Sequence, residues 1–356
     1  MTILLVGDIG GTNTTLRLVE SEPQNTVQEL PHQTTLYECT YASQEYSDLV
    51  SIVREFLVAA DQNFGSQITL ERACFGIAGP VVNNISQLTN LGWMLDKTLL
   101  ENELQISEVR LINDFVAVGY GVLGLSPQED LHTLQPGRHD ANAPIAVIGA
   151  GTGLGQGFLI PQLHGYRVFA TEGGHADFAP QSELEFELLQ YLLEKYNINH
   201  VSVERVVSGM GIAAIYQFLR EIQGYQESPA LAQISETWEQ EIGQEHKTVD
   251  LAAKISFAAV EQEDYLCQRT MELFVQVYGA EAGNLALKIM PYGGLYIAGG
   301  IAAKNLSLMR QGNFMQAFLK KGRMNYLLQE IPVHMILNPK VGLIGAALYL
   351  CRPTDF

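Results

Sequence analysis

Asp114 directly follows the apolar run Val109–Ile112 in "RLINDF" (Arg110–Phe115). A carboxylate at the carboxyl end of a strand can accept a proton from a ligand held there, although a helix N-cap also favours that position. A second concentration of chemistry is "TEGGHADFAP" (Thr171–Pro180), which crowds Glu172, His175 and Asp177 around two glycines. No other histidine or cysteine stands near it at ligand spacing, so a metal centre is not expected, and a hydrogen-bonded loop histidine is the ordinary reading of His175. Glu204, followed by Arg205 in "VSVERV", has by itself the look of a solvated helix face.

Two further stretches are rich in glycine. "LLVGDIGGTNTTLRLV" (Leu4–Val19) places a loop after an apolar strand, and "IAVIGAGTGLGQGFLI" (Ile145–Ile160) repeats that layout about 140 residues on. Neither opens a helix. Gly7, Gly10 and Gly11 lack the Rossmann spacing, and the first lysine of the chain is Lys97, so a Walker-type loop is excluded. Thr14–Val19 alternates and is β-rich, which predicts a hairpin with its tip over Asp8–Asn13. Such a tip presents consecutive backbone N–H groups, and glycines let an anion approach them closely. An ordinary tight turn is the alternative for each loop, and a chance repeat for the pair.

The elements that must hold these residues follow from periodicity. Asp48–Ala60 reads as an amphipathic helix, Arg72–Ile77 as a strand ending in "AGP", and Val109–Ile112 as another ending in "NDF". Strands alternating with helical patterns predict crossovers and a largely parallel sheet. Ser182 and Glu185 form a capping box opening a Leu-rich helix. Further helices are predicted over 211–223 and 251–290, the latter broken near Gly279 and Gly283. The Gln- and Glu-rich stretch 224–245 is expected to be a surface excursion. "GGLYIAGGIAAKN" (Gly293–Asn305) reads as strand, double glycine and helix, and "NPKVGLIGAALYL" (Asn338–Leu350) as an apolar helix with small residues on one side.

Composition limits the partners. The 356 residues suffice for about two domains, and 47% of them are hydrophobic. With 21 basic against 39 acidic side chains the formal net charge is −18, which disfavours nucleic acid and anionic membranes. A phosphorylated ligand would need backbone amides and a divalent metal rather than a basic patch. Cys39, Cys74, Cys267 and Cys351 are dispersed, so neither a zinc site nor a disulfide framework is expected, and a reducing cytoplasmic location is. Asp8 interrupts the N-terminal apolar run too early for a signal peptide. Residues 141–166 lack any Lys, Arg, Asp or Glu, but a glycine at every second position from 149 to 157 argues for strand-loop-strand over a membrane helix.

Taken in order, "GDIGGTN", "NDF", "GAGTGLG", "TEGGHADFAP", "VSVERVVSG" and "YIAGGI" resemble the sugar kinase/actin/Hsp70 superfamily, and within it the bacterial ATP-dependent glucokinase family. The resemblance covers nearly the whole chain. It implies an α/β, two-lobed actin-like ATPase (ribonuclease H-like) fold, each lobe a mixed sheet with flanking helices, with the active site in the interlobe cleft. The smaller lobe would comprise residues 1–113 plus 340–356, and the larger 114–339. It implies transfer of the γ-phosphoryl group of Mg-ATP to the 6-hydroxyl of D-glucose, an opening step of glycolysis, by a cytoplasmic homodimer.

The resemblance also implies residue roles. Asp114 would be the catalytic base, and Asn90, Asn113, Asp114, Glu172, His175 and Glu204 would bind the sugar, with Trp93 packing beside Asn90. Gly7, Asp8, Ile9, Gly10, Gly11, Thr12 and Asn13 would hold ATP together with Gly151, Thr152 and Gly153. Asp8 would hold Mg2+ through water. Gly299 and Gly300 would let the adenine lie against the backbone, unless they only open a helix. Kinases of another hexose or of an N-acetylhexosamine are the nearest alternatives; the cysteine cluster of the repressor/ORF/kinase branch is absent. A non-catalytic sugar-sensing protein is a further alternative; a transcriptional repressor built on a sugar-kinase body would need a helix-turn-helix before the first hairpin, and a dinucleotide oxidoreductase would need the fingerprint that both loops lack.

Overall fold

The computed structural model describes residues 2–22, 30–66, 68–163, 165–244 and 248–352. In chain order the strands are β1 (Thr2–Ile9), β2 (Asn13–Ser21), β3 (Gln33–Ala42), β4 (Arg72–Ile77), β5 (Ile85–Leu88), β6 (Trp93–Asp96), β7 (Glu108–Asn113), β8 (Leu131–Gln135), β9 (Ile145–Ala150), β10 (Leu154–Gln162), β11 (Gly165–Thr171), β12 (Leu295–Ala298) and β13 (Val333–Ile336). The chain packs as two units. One comprises residues 1–131, 157–170 and 338–356, the other 132–156 and 171–337.

In the first unit a five-stranded sheet runs β3-β2-β1-β4-β7. β1, β4 and β7 are parallel, as crossovers require, whereas β1, β2 and β3 form an antiparallel meander, so the sheet is mixed rather than largely parallel. The helix Leu49–Phe64 covers one face with Leu49, Ile52, Val53, Phe56 and Ala60 buried. Asp48 caps it, accepting from the Ser51 amide at 2.7 Å, and Gly65 ends it at φ 68°. On the other face the apolar helix Val341–Leu350 packs Leu343, Ala346 and Ala347 against Leu4, Val6 and Cys74.

The helix Asp114–Val122 belongs to this first unit as well, beyond the boundary expected after residue 113. Its backbone meets that of Val341–Leu350. A Cβ on Gly345 would collide with the Ala117 carbonyl oxygen, and one on Gly121 with that of Val341. On its far side Val168 and Leu159 close over Gly119, which draws residues 157–170 into the same unit.

The second sheet has the order β11-β10-β9-β12-β13-β8, with β9, β12 and β13 mutually parallel. The core of the second unit joins β9, β12 and β13 to long helices, with Tyr216, Phe218, Phe274, Tyr278, Phe314 and Phe318 fully buried. Ser182 caps the helix Glu183–Lys195 as expected, accepting from the Glu185 amide at 3.2 Å, while Glu185 reaches back to the Gln181 amide at 2.8 Å.

Two expectations fail here for physical reasons. The helical run does not break at Gly279 or Gly283. It breaks at Gln262–Glu263, where Gln262 turns left-handed and Asp264 caps a new helix, Tyr265–Ile289. The two glycines sit inside that helix because the Phe314 and Phe318 carbonyls press against them. Within 224–245, Pro229–Gln240 is a helix that buries Leu231 and Ser235, with Ile234 and Trp238 partly buried. Leu231, Ile234 and Trp238 have helical spacing, a signal that the surrounding Gln and Glu residues masked. Residues 245–247 and 353–356 of the expected elements lie outside the described residues. Among the described residues no helix is long and apolar enough to cross a membrane.

Candidate active site

In the first unit the β1–β2 turn is built by short-range hydrogen bonds. Gly10 N–H donates to the Asn13 carbonyl at 3.0 Å, closing the tip. Buried Ser43, brought in by β3, then secures it twice: its Oγ donates to the Gly10 carbonyl at 2.8 Å and its N–H to that of Thr12 at 2.9 Å. Thr14 Oγ1 completes the set, 3.0 Å from Ser43 Oγ. With these carbonyls engaged, Gly11, Thr12 and Asn13 stand at the accessible rim. Asn90 lies over them, its Nδ2 3.6 Å from where a Cβ on Gly11 would be. Trp93 beside it is buried, a packing residue as expected.

Gly7 and Ile9, which the sequence reading placed among the ATP contacts, lie in β1 before this turn. Both are buried within β1. A Cβ on Gly7 would come within 2.7 Å of Phe75 and 2.9 Å of Leu16, so that glycine serves close packing, and Ile9 is fully enclosed in the core.

Asp8 points to the opposite face from Ile9, open to solvent on one side and closely surrounded by chain on the others. Burial raises its carboxyl pKa and the Lys340 charge opposes that rise. Lys340 precedes the helix Val341–Leu350 and is held by Glu38, Nζ to Oε1 2.5 Å, which Arg17 grips from the other side at 2.7 Å. Burial works against ionisation of Glu38, yet the hydrogen bonds from Lys340 and Arg17 keep its carboxyl below the usual range.

Asp114 opens the helix that follows β7. The cap is Asn113, whose Oδ1 accepts from the Phe115 amide at 2.9 Å while its Nδ2 donates to the Gly79 carbonyl at 3.0 Å. Asp114 is thereby released from the capping role that its sequence position allowed, though it too accepts from the Phe115 amide at 2.9 Å. Desolvation pushes its carboxyl up to about 6; the bond from Phe115 opposes the rise and the nearby negative charge of Asp8 adds to it. A carboxyl tuned toward neutrality can receive a proton and release it again.

In the second unit the β9–β10 turn closes by Gly151 N–H to the Gly153 carbonyl at 2.8 Å, and the Gly151 carbonyl accepts from Gly209 N–H at 2.9 Å, at the start of the helix Gly209–Glu221. Thr152 is left exposed at the tip. Behind it the buried Tyr278 hydroxyl accepts from the Ala150 amide at 3.1 Å. Gly299, at φ 86°, covers the Ala150 carbonyl so closely that no Cβ fits, and Gly300 faces open space.

The start of β10 carries the remaining residues. Leu154 N–H donates to Glu204 Oε2 at 2.8 Å, so Glu204 is folded onto the turn rather than turned to solvent. Gly174 presses on the Leu154 carbonyl where a Cβ would collide, which seats the turn Gly173–His175 on the strand. Glu172 precedes this turn and His175 ends it, both exposed, with Oε2 and Nε2 3.9 Å apart. The sequence-predicted residues therefore form two sets. Asp8, Gly10–Asn13, Asn90, Asn113 and Asp114 gather in the first unit; Gly151–Gly153, Glu172, His175, Glu204, Gly299 and Gly300 gather in the second. Ser43, Lys340 and Tyr278, which hold these sets, carry no local sequence signal.

No group of three or more His, Cys, Asp or Glu side chains among the described residues could hold a metal unaided. Isolated carboxylates beside phosphate-sized turns suit Mg2+, which keeps several waters and takes one or two carboxylates plus substrate phosphates. Exposed Gly299 and Gly300, and the donor-rich turn at Gly151–Gly153, likewise fit a nucleotide.

The glucokinase family model matches residues 5–353. A glucokinase from Trichormus variabilis is 60% identical over 352 residues, covering 99% of this chain and all of the relative. Among solved structures, a glucokinase from an Antarctic psychrotroph superposes with a TM-score of 0.78 at 30% identity, covering 98% of this chain and 99% of that one. A glucokinase from Balamuthia mandrillaris, solved with glucose, shares the fold at TM-score 0.76 and 21% identity, over 99% and 94% of the two chains. With two mixed sheets, a glycine-tipped hairpin in each, and a match running almost end to end, this chain belongs to the glucokinase family.

Proposed function

We propose that this chain is an ATP-dependent glucokinase, transferring the γ-phosphoryl group of Mg-ATP to the 6-hydroxyl of D-glucose and releasing glucose 6-phosphate and ADP. The observation that carries this reading is the placement of Asp114 at the end of β7, where Asn113 takes the capping role and desolvation pushes the Asp114 carboxyl up to about 6. Asp114 takes the proton of the 6-hydroxyl as that oxygen attacks phosphorus. Asn90, Asn113, Glu172, His175 and Glu204 contact the sugar hydroxyls, and an epimer that leaves one such group unpaired binds less well.

The triphosphate is held by the amides that turn closure leaves free, those of Gly11–Asn13 and of Thr152 and Gly153, and the adenine rests on Gly299–Gly300. Mg2+, when bound, neutralises charge on the phosphates, with Asp8 as its protein carboxylate through water. Lys340, anchored by Glu38, adds positive charge on the same side. The enzyme is cytoplasmic and homodimeric in this reading, and its product enters glycolysis.

A coupled assay of ADP release with Mg-ATP and a panel of hexoses and N-acetylhexosamines tests the reading. Glucose is expected to give the highest kcat/KM; preference for an N-acetylhexosamine would replace the assignment. Ser43→Ala tests the first turn. Losing the bond to the Gly10 carbonyl and leaving Thr14 Oγ1 without its partner costs about 1–2 kcal/mol of stability. KM for Mg-ATP should rise several-fold while KM for glucose holds. An unchanged KM for Mg-ATP would remove that turn from nucleotide binding.

A further inference from the structure

Beneath the turn that carries Glu172 and His175 lies a buried polar column whose members the sequence singled out for nothing. Gln156, on β10, is 4% exposed, and Glu281, midway along the helix Tyr265–Ile289, is 7% exposed. Gln156 Nε2 donates to Glu281 Oε1 at 2.8 Å. Glu281 Oε2 accepts from Asn284 Nδ2 at 3.0 Å, and Asn284 Oδ1 accepts from Lys321 Nζ at 2.6 Å. Lys321 Nζ also donates to the Ala280 carbonyl at 2.8 Å, which ties the column's base to the helix backbone.

At its upper end the column meets the turn. Gln156 Oε1 lies so close to Gly173 that a Cβ there would collide with it. Thr171 Oγ1 donates to the Gln156 carbonyl at 3.2 Å and accepts from Gly173 N–H at 3.2 Å. With its two oxygens accepting from Gln156 and Asn284, Glu281 takes the NH2 end of the Gln156 amide and leaves the oxygen end toward Gly173. Burying a carboxylate costs stability even where it is hydrogen-bonded, as Glu281 is by Gln156 and Asn284, and replacing such a polar pair with hydrophobic residues is often neutral or favourable. Stability therefore does not account for Glu281 at this position.

We propose that Gln156 and Glu281 are positioning residues for sugar recognition: the Glu281 carboxylate fixes the Gln156 amide, and that amide sets the Glu172–His175 turn against the start of β10. The inference rests on the reading of Glu172 and His175 as sugar ligands. It predicts a specificity effect, because a turn free to shift presents the two side chains less sharply to one epimer.

The test compares full-length wild type with Glu281→Leu, Gln156→Leu, the double variant and Glu281→Gln. Each Leu variant is expected to raise KM for glucose about 10-fold, to leave KM for Mg-ATP within 2-fold, and to narrow the kcat/KM preference for glucose over mannose. The double variant should match either single one, since both act through the same turn. Glu281→Gln, which can still accept from Gln156, should recover most of the affinity. Hydrogen–deuterium exchange provides a readout independent of turnover: the Gly173 amide should exchange faster in the Leu variants, with protection of the helix Tyr265–Ile289 unchanged. A KM for glucose near wild type, equal rises in both KM values, additive effects in the double variant, or unchanged Gly173 exchange would each overturn the inference. If wild type does not phosphorylate glucose, the proposed function fails, and the exchange result still decides whether the column holds the turn.

Discussion

Asp114→Asn should lose about 10²-fold or more in kcat while melting at a higher temperature than wild type. The activity loss follows from removing a positioned base, an effect of about 10²–10⁴-fold in general. The gain in stability follows from the same environment. A carboxyl that titrates near 6 in the folded chain and near 4 when unfolded binds its proton more tightly in the folded state. Its contribution to stability is fully present below pH 4 and is lost as pH rises through 6. At pH 7 the ionised, desolvated carboxylate thus costs on the order of 2 kcal/mol, which a neutral amide of the same shape recovers. Asn can still accept from the Phe115 amide, so the helix start keeps its bond.

Thermal unfolding at pH 7 and at pH 4.5 separates this from a general effect. The stability difference between variant and wild type should shrink at the lower pH, where wild type carries more of its proton. In wild type the kcat/KM profile should fall below about pH 6, and in the variant that acid limb should disappear. Turnover equal to wild type would remove Asp114 from the chemistry. A lower melting temperature at pH 7 would contradict the desolvated carboxylate.

Gly345→Ala should destabilise by about 2–4 kcal/mol although it replaces a helix-interior glycine with the best helix former. The propensity gain is about 1 kcal/mol. Against it stands backbone on backbone: the new methyl would collide with the Ala117 carbonyl oxygen and with the Gly121 nitrogen, neither of which can rotate away as a side chain would. Overpacking of this kind costs about 1–3 kcal/mol, and more where nothing can yield. Relief requires parting the helices Val341–Leu350 and Asp114–Val122, and Asp114 heads the second of them. Turnover should therefore fall by about 10-fold even below the melting transition, and KM for glucose should rise with it. A variant at least as stable as wild type would show that these helices do not meet through their glycines.

How much of this was legible in the chain depended on the range of the forces involved. The hairpins, the strand before Asp114, the Asp48 and Ser182 caps and the double glycine at 299–300 are written in periodicities of two or 3.6 and in residues adjacent in sequence. They could be read without knowing their neighbours. Gly7 shows the limit. Its place in a glycine-rich stretch suggested a ligand, whereas its glycine is demanded by Phe75 and Leu16, one of them 68 residues away. Gly279 and Gly283 suggested a helix break for the same reason, and are instead contact points for the Phe314 and Phe318 carbonyls.

By itself the amino-acid order determined the strands that precede the two glycine-tipped turns and Asp114, the helices capped by Asp48 and Ser182, and that one carboxylate would stand at the end of β7. Tertiary structure alone decided that Asn113 would cap so that Asp114 need not, that Ser43 would hold the first turn, and that Gln156 and Glu281 would meet beneath the turn of Glu172 and His175. Backbone propensity acts over a few residues and leaves a pattern. Close approach, desolvation and buried hydrogen bonds join residues far apart in sequence, as Gln156 and Glu281 are at 125 positions, and no local pattern records which partners they will find.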